Sequence, residues 1–322
     1  QRVPELLSYL QGLIDDRPDQ KGQYVLTGSH QPLLREQIAQ TLAGRTSILT
    51  LFPLSFAEIL RQEPAFARDA PSHWIHRGFM PEIYRSALNP TRMYQAYVQT
   101  YVERDVRRLI QVKDQFIFER FLKLLAGRIG QLVNFDSLAS DVGVSAKTIR
   151  EWISVLEASF IVVKMPPYFR NIGKRLVKTP KVYFVDVGLA SYLLGLESPH
   201  QVERDPLYGS LFENMVVMEL IKARTGSGQS PNLHFYRDSH GNEIDILAEV
   251  SRTLTPIEIK TSATFHTDLL RTLNYYRTSI DPTCPKSYLI YAGASGPLSD
   301  ICEGLHFTDS AQSLISRDPA PG

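Results

Sequence analysis

The sequence predicts an α/β protein of several domains, and three observations lead to this fold class. Over residues 1–62, helical and strand-like patterns alternate in the order α-β-α-β, which is typical of a small parallel-sheet unit. After a helical linker or lid at 63–114, residues 115–200 contain two short helical patterns joined by a glycine-bearing turn and followed by two apolar strands. From 201 to 322 the order becomes α-β-β-β-α-β. A chain of 322 residues is long enough for two or three such units.

The composition is that of a globular protein, with 43% hydrophobic and 21% charged residues. The formal net charge is +1, so binding to nucleic acid would require a local basic patch rather than a global field. Cys284 and Cys302 do not have the spacing of metal ligands, and a chain of this size needs no disulfide. No apolar run reaches about 18 residues and no secretory signal opens the chain, which predicts a cytoplasmic protein without a membrane partner. The first residue is Gln1 rather than Met, which predicts a processed or shortened N-terminus.

The first unit opens with an amphipathic helix at residues 3–15. Tyr24–Leu26 is predicted to be a short buried strand that ends in Thr27-Gly28-Ser29, and "PLLREQIAQTLAGR" a second helix. "SILTLFPLSFAEIL" begins as a strand and turns helical after Pro53. Thr27 and Ser29 would lie where α/β proteins bind ligands. The phosphate-loop pattern G-x-x-x-x-G-K-[ST] does not occur, so the residues alone favour a structural turn.

The linker is rich in proline and aromatic residues, with prolines at 53, 64, 71, 81 and 90. We expect residues 60–90 to be irregular and residues 91–110 to form a long helix.

The central unit has the form of a helix-turn-helix. "FERFLKLLAGRIG" and "FDSLASDVG" are predicted helices, the second capped by Asp136, and "VSAKTIREWISVLEASF" is a third, capped by Ser145. In the third helix a buried stripe is predicted, formed by Ile149, Trp152, Ile153 and Leu156. Lys147 and Arg150 lie on the opposite face, where they could contact phosphates or base edges, although Glu151 on the same face counts against this interpretation.

The strands "IVVKMPP" and "KVYFVD" are predicted to form a wing, and a basic run lies between and within them. "YFRNIGKRLVKTPK" contains five basic residues and no acid: Arg170, Lys174, Arg175, Lys178 and Lys181. Such a run is typical of a wing that grips the phosphate backbone of duplex DNA. The alternatives are a solvated hairpin, or a winged helix that serves only for packing.

The last unit carries a pattern of acids and lysine at strand ends. Glu258 and Lys260 stand two residues apart, so they share one face of a strand, and Asp245 closes the preceding strand of a predicted hairpin. Glu213 lies on the apolar face of the helix before them, where a carboxylate is costly without a partner. Two carboxylates and a lysine could bind Mg²⁺ and orient a water, so the pattern predicts a Mg²⁺-dependent nuclease with Asp245 and Glu258 as metal ligands. The alternative is a pair of ordinary strands with polar ends, because Glu-x-Lys is common.

Six stretches of the chain, taken in order, are similar to one family. They are "QRVPELLSYLQGLID", "YVLTGS", "LAGRTSILTLFPLSFAEI", "YVQTYVERDV", "GSLFENMVVMEL" and "FYRDSHGNEIDILAEV…PIEIKTS". The chain resembles the bacterial and archaeal AAA-type ATPases that carry a C-terminal domain of unknown function resembling PD-(D/E)XK nucleases. The resemblance implies a partial AAA-type α/β unit, a central winged helix and a PD-(D/E)XK-like domain with Glu213, Asp245, Glu258 and Lys260 at its motif positions.

The resemblance also carries expectations about ATP. In the family "QRVPEL" directly follows the Walker B acids, so Gln1 would lie just past them, and the phosphate loop and Walker B would be missing from this chain. Thr27 or Ser29 would face the γ-phosphate, and Arg45 would act on phosphate within or between subunits of a homo-oligomer. ATP hydrolysis is then not expected from this chain, only from a longer parent with a phosphate loop.

Two other functions stay open at this point. The chain could be a non-catalytic interaction or assembly module, which the near-neutral charge and Glu151 favour. In a full-length form it could also be a nucleotide-binding regulator.

Overall fold

The computed structural model describes residues 5–17, 19–27, 42–107, 114–168, 179–250 and 253–315. These residues form a mixed α/β structure with many helices, a two-stranded sheet and a six-stranded sheet. The helices are α1 Glu5–Asp15, α2 Phe56–Gln62, α3 Pro71–Arg77, α4 Pro81–Ser86, α5 Pro90–Tyr97, α6 Gln115–Ala126, α7 Phe135–Val142, α8 Ala146–Ala158, α9 Val187–Leu193, α10 Pro199–Arg204, α11 Tyr208–Gly226, α12 Arg271–Tyr275 and α13 Ser310–Ile315. The strands are β1 Val162–Met165, β2 Lys181–Phe184, β3 Leu233–Arg237, β4 Glu243–Val250, β5 Thr253–Lys260, β6 Ser287–Tyr291, β7 Gly296–Pro297 and β8 Cys302–His306.

The predicted N-terminal helix is confirmed as α1, but the strands predicted after it are wrong. Residues 23–27 and 46–52 have no strand structure, and Val25, Leu49 and Leu51 are 86%, 90% and 96% exposed. A strand exists only when neighbouring strands satisfy its backbone groups, and within the described residues neither segment has such a neighbour. The α-β-α-β unit expected over residues 1–62 is therefore not formed in its described part. Most of the helix predicted from "PLLREQIAQTLAGR" lies outside the described residues.

The proline-rich linker is more regular than the sequence predicts. The helix expected after Pro53 is confirmed as α2, and Ser55 caps it together with Glu58 in a capping box. Residues 60–90 were expected to be irregular, yet α3 and α4 each begin with a proline in the first turn. Proline suits that position because its missing N–H would be unpaired there anyway. The long helix expected at 91–110 begins as α5 and continues with π-helical turns over Val98–Val106.

The three helices expected in the central unit are formed as α6, α7 and α8. Ser145 caps α8 by accepting from the Thr148 N–H, as predicted. The cap of α7 is Asn134, not Asp136, because α7 begins two residues earlier than a cap at Asp136 implies and the Asn134 side chain accepts from two N–H groups there. The predicted stripe of α8 is buried: Ile149, Trp152, Ile153 and Leu156 are at most 5% exposed. Strands β1 and β2 pair antiparallel, with Val162 opposite Phe184.

The six-stranded sheet has the order β3-β4-β5-β6-β8-β7. The β3-β4-β5 strands are antiparallel neighbours, whereas β6 runs parallel to β5 and β8 parallel to β6. The expected order α-β-β-β-α-β is confirmed as α11, β3, β4, β5, α12 and β6. After this predicted order the chain adds β7, β8 and α13, and β8 lies inside the sheet between β6 and β7.

One continuous apolar core runs from Phe56 in α2 to Ala311 in α13. It includes α6, α8, β2 and α11, so the linker, central and C-terminal parts of the chain pack on each other rather than as separate bodies. Leu7 and Leu42 belong to a small separate cluster with Ile14 and Leu26. The long helix α11 is buried at every position from Leu211 to Lys222 except Glu213, which is partly buried.

Candidate functional site

The candidate site lies where α11, β2 and the β4-β5 hairpin meet. Helix α11 brings Glu213 to this point, and its side chain is only 14% exposed. Glu213 Oε1 accepts hydrogen bonds from the Tyr183 hydroxyl at 2.6 Å and from the Lys181 ammonium at 2.9 Å. Burial and the charge of Asp245 raise the pKa of Glu213 to about 7, against the opposing effects of Lys181 and Tyr183.

The hairpin delivers the other predicted residues. Because Ile246 is paired with Ile257 in the antiparallel hairpin, Asp245, which precedes Ile246, is placed beside Glu258, which follows Ile257. Asp245 Oδ2 accepts from the Ile259 N–H at 2.8 Å, and the Lys260 ammonium lies 3.4 Å from the same oxygen. Lys260 also donates to Glu258 Oε2 at 2.6 Å. The structure therefore brings Asp245, Glu258 and Lys260 together, as the sequence pattern predicts.

Glu258 is the most perturbed carboxyl of the group. Its side chain is 1% exposed, and burial together with the Asp245 charge raises its pKa to about 8, although Lys260 acts in the opposite direction. One of its oxygens, Oε1, is buried without a hydrogen-bond partner. A buried carboxylate oxygen without a partner is costly, and a functional site is one place where such a cost is retained.

Two residues of the site were not assigned to it by sequence analysis. Lys181 was read as part of the basic wing, yet it is 2% exposed and its ammonium lies 2.9 Å from Glu213 and 2.6 Å from Glu243. Glu243, which also pairs with Arg237 at 3.1 Å, was not singled out. The signal that could have found Glu243 is its spacing, since it stands two residues before Asp245 and so shares its face of β4.

A metal ion has few free ligands here. In the stretches that the structure describes, no group of three or more His, Cys, Asp or Glu side chains is arranged to hold a metal ion. Lysines engage Glu213 Oε1 and Glu258 Oε2 and also approach Asp245 Oδ2. Glu258 Oε1 is the orphaned oxygen, and together with Asp245 it offers the hard oxygen donors that Mg²⁺ prefers. The residues thus fit one cation held by two carboxylates better than one held by three.

The predicted nucleic-acid contacts are only partly within the described residues. Lys147 and Arg150 are exposed on α8. Lys147 lies 3.9 Å from Glu151, and the Arg150 guanidinium stacks 5.0 Å from the Phe135 ring centre. The remaining basic residues named by the sequence analysis lie outside the described residues: Arg170, Lys174, Arg175 and Lys178.

The residues expected to sense a nucleotide are not brought together. Thr27 is exposed and lies in a segment without regular structure. Arg45 forms two hydrogen bonds to the Asp15 carboxylate, at 2.6 and 3.0 Å, and this partner raises the pKa of Arg45. Ser29 lies outside the described residues.

Family comparisons divide the chain into three stretches. Residues 1–60 match the AAA domain family, residues 68–200 match a domain of unknown function (DUF8612), and residues 208–302 match another domain of unknown function (DUF4143). The expected similarity to an AAA domain is thereby confirmed for the N-terminal stretch. No solved structure matches the chain significantly.

Three curated relatives are described as uncharacterized. Proteins of Mycobacterium tuberculosis and Mycobacterium bovis are each 30% identical over 266 residues, which is 82% of this chain and 58% of the relative. A protein of Haemophilus influenzae is 29% identical over 213 residues, which is 62% of this chain and 50% of the relative. The chain therefore matches between 50% and 58% of the length of these relatives. Among the described residues, no helix is long and apolar enough to cross a membrane.

Proposed function

We propose that the chain is a DNA-associated protein whose C-terminal part hydrolyses phosphodiesters with Mg²⁺. The observation that carries this proposal is the convergence of Glu213, Asp245, Glu258 and Lys260 from α11, β4 and β5. Acids brought together in a buried place repel each other and resist ionisation, as the raised pKa values of Glu213 and Glu258 indicate. Such perturbed groups cluster at functional sites more often than elsewhere.

The arrangement of elements supports a PD-(D/E)XK-like assignment for residues 201–322. A helix precedes three antiparallel strands, and a second helix leads to a strand parallel to the third. The acids and Lys260 lie where strands β4 and β5 meet helix α11.

The site residues divide the chemical work. Asp245 and Glu258 would hold Mg²⁺, which would supply Lewis-acid polarisation of the phosphate and activation of water. Lys260, 38% exposed, donates to the phosphate oxygen or to the attacking water and screens the repulsion between the two acids. Glu213 accepts from Tyr183 and Lys181 and closes the buried side of the site.

DNA binding is proposed for the central part of the chain, as a winged helix. Two observations support this proposal. Helices α6, α7 and α8 are followed along the chain by the antiparallel β1-β2 pair, and Lys147 and Arg150 are exposed on α8. The basic run at 170–178 adds positive charge that would face the phosphate backbone.

A cleavage assay tests the nuclease proposal. Supercoiled plasmid is incubated with Mg²⁺ or Mn²⁺ and with the protein or its Asp245→Asn and Lys260→Met variants. We expect both variants to lose more than about 100-fold in rate, since each removes a group that acts on the transition-state charge. Lys286→Met is the matched control, because Lys286 pairs with Glu303 on the same sheet outside the site. Equal nicking by all four proteins would mean that the activity is a contaminant.

A non-catalytic assembly module is the second candidate function. It is favoured by one observation, that Glu213, Asp245 and Glu258 already have lysine partners. Fluorescence anisotropy with duplex DNA, measured over a range of salt concentrations, shows whether a chain that does not cleave DNA still binds it. Salt-dependent binding that Lys174→Ala/Arg175→Ala abolishes, without any cleavage, would favour a DNA-bound module; no binding at all would favour protein–protein assembly.

Nucleotide binding is proposed only for a longer form of the protein. The similarity of residues 1–60 to the AAA domain family supports a role as an ATP-dependent partner or nucleotide-binding regulator there, acting in a homo-oligomer. Calorimetric titration of the present chain with ATP and Mg²⁺ is expected to give no saturable heat, because no phosphate-loop pattern occurs in it.

A further inference from the structure

Lys181 is a lysine from the central part of the chain that is buried inside the C-terminal site. It is the first residue of β2, which pairs with β1, yet its side chain points to α11 and β4. Its ammonium lies 2.9 Å from Glu213 Oε1, 2.6 Å from Glu243 Oε1 and 5.7 Å from the centre of the Phe235 ring. With 2% of its side chain exposed, it has no route to a phosphate in solution.

An ammonium in this position keeps its charge. Burial alone lowers the pKa of Lys181, but the nearby carboxylates of Glu213, Glu243 and Asp245 together raise it by more. Its pKa therefore lies above the ordinary value. A charged group with partners this close is expensive to remove, because its loss leaves the carboxylates uncompensated.

The strand that carries Lys181 is fixed to α11 by further bonds. The Tyr183 hydroxyl donates to Glu213 at 2.6 Å. The Asn214 side chain bonds the backbone of Phe184 in both directions, accepting at 2.6 Å and donating at 2.9 Å. These bonds fix the backbone of β2 against α11, so the position of Lys181 in the site is set by the strand that carries it.

The acids of the site consequently fall into two sets. Glu213 has Lys181 and Tyr183 as partners, and Glu243 has Lys181 and Arg237. Asp245 and Glu258 instead share Lys260, which is partly exposed, and Glu258 keeps the unpartnered oxygen.

We propose that Lys181 is a positioning residue of the site: it serves as the fixed cation of Glu213 and Glu243, and so restricts a divalent cation to Asp245 and Glu258. The part of this inference that concerns Asp245 and Glu258 rests on the proposed function. The pairing of Lys181 with Glu213 and Glu243 does not rest on the proposed function. Through this pairing the site depends on a residue from the central part of the chain.

Mn²⁺ binding, followed by electron paramagnetic resonance and calorimetry, tests both parts. The wild-type chain is expected to bind one Mn²⁺, and Asp245→Asn to weaken it by more than about tenfold because a hard-oxygen ligand is lost. Glu213→Gln is expected to change the affinity clearly less than Asp245→Asn does, since Glu213 is not a ligand. Lys181→Met frees two carboxylates and is expected to gain a second Mn²⁺, which the double variant Lys181→Met/Glu213→Gln loses again. Lys181→Arg keeps the charge and is expected to bind like the wild type.

The outcomes separate the two claims. Lys181→Met with the same number of Mn²⁺ ions as the wild type, or Glu213→Gln as weak as Asp245→Asn, would overturn the role given to Lys181. A wild type without Mn²⁺ would count against the proposed function, while a Glu213-dependent ion gained by Lys181→Met would still support the inference. Circular dichroism melting checks the fold of each variant, and Lys181→Gln replaces Lys181→Met if the latter does not fold.

Discussion

Replacing Glu258 by glutamine is expected to change how the stability of the protein depends on pH. The pKa of Glu258 is raised from 4.5 to about 8 in the folded chain, chiefly by burial and then by the charge of Asp245. In the unfolded chain the carboxyl ionises near its ordinary value. Below pH 4.5 both states are protonated and the stability is complete, and as pH rises toward 8 the unfolded state ionises first and stability is lost.

The size of this effect follows from the gap between the two pKa values. One pKa unit corresponds to about 1.4 kcal/mol, so the ionisation of Glu258 lowers the free energy of unfolding by on the order of 5 kcal/mol. Part of this loss is the repulsion between Glu258 and Asp245. Glutamine has nearly the same shape, and its oxygen can still accept from Lys260. It carries no charge at any pH, so the variant is expected to lose less stability between pH 5 and pH 8, and to exceed the wild type at pH 8 by a few kcal/mol.

Urea unfolding at several pH values, followed by the fluorescence of the buried Trp74 and Trp152, measures the effect. Glu82→Gln is the matched control, because Glu82 is exposed and hydrogen bonds from Ser86 and Arg85 lower its pKa. It is expected to leave the slope between pH 5 and pH 8 unchanged. If the curves for Glu258→Gln and the wild type run parallel over this range, Glu258 is ionised in the folded protein and the reasoning is refuted.

Three further predictions concern residues that stabilise the fold. Asn214→Ala leaves the buried N–H and C=O of Phe184 without partners, so urea unfolding should show a loss of roughly 2–5 kcal/mol; a loss below about 1 kcal/mol would contradict this. Gly78→Ala should lose roughly 2–4 kcal/mol in the same assay, because φ is +68° there and a Cβ would meet the Tyr94 hydroxyl, and an unchanged midpoint would refute the clash. Asp238 has a pKa of about 2, lowered despite some burial by hydrogen bonds, so the wild type should lose stability as pH falls from 3.8 through 2, and Asp238→Asn should flatten only that acid limb.

The elements that sequence predicts well are those fixed by local chemistry. Helix α8 combines a serine cap with an apolar stripe at helical spacing, and both features depend only on residues within its own turns. The same holds for the spacing of Glu258 and Lys260, because alternate residues of a strand share a face whatever surrounds the strand. In the candidate site, this local rule places Glu258 and Lys260 on one face without knowledge of the fold, whereas the positions of Glu213 and Asp245 depend on contacts between elements.

The failures of prediction depend on partners that are distant along the chain. The apolar run around Leu49 and Leu51 has the composition of a buried strand, yet these side chains are exposed because no described strand pairs with the segment. Lys181 stands at the end of a run of basic residues, which suggests a solvated wing when charge is averaged along the sequence. Its actual partners are on α11, about 30 residues further on, and at Glu243, and no local pattern contains that pairing.

Helix α11 explains why the site and the fold cannot be altered independently. A helix buried on all sides usually consists of apolar residues, but the stretch Leu211–Lys222 of α11 carries four polar residues, each with its own distant partner. Glu213 and Asn214 bind β2, as described above, Glu219 accepts from the Phe56 N–H at 3.0 Å, and Lys222 donates to the Leu54 carbonyl at 2.7 Å. The helix thus ties the linker and the β1-β2 pair to one another through buried hydrogen bonds. Alanine at any of the four positions removes a fold contact together with any catalytic role, so a lost activity would not identify a catalytic group. Isosteric changes such as Glu213→Gln, judged beside the unfolding free energy, are therefore the substitutions from which a catalytic role can be inferred.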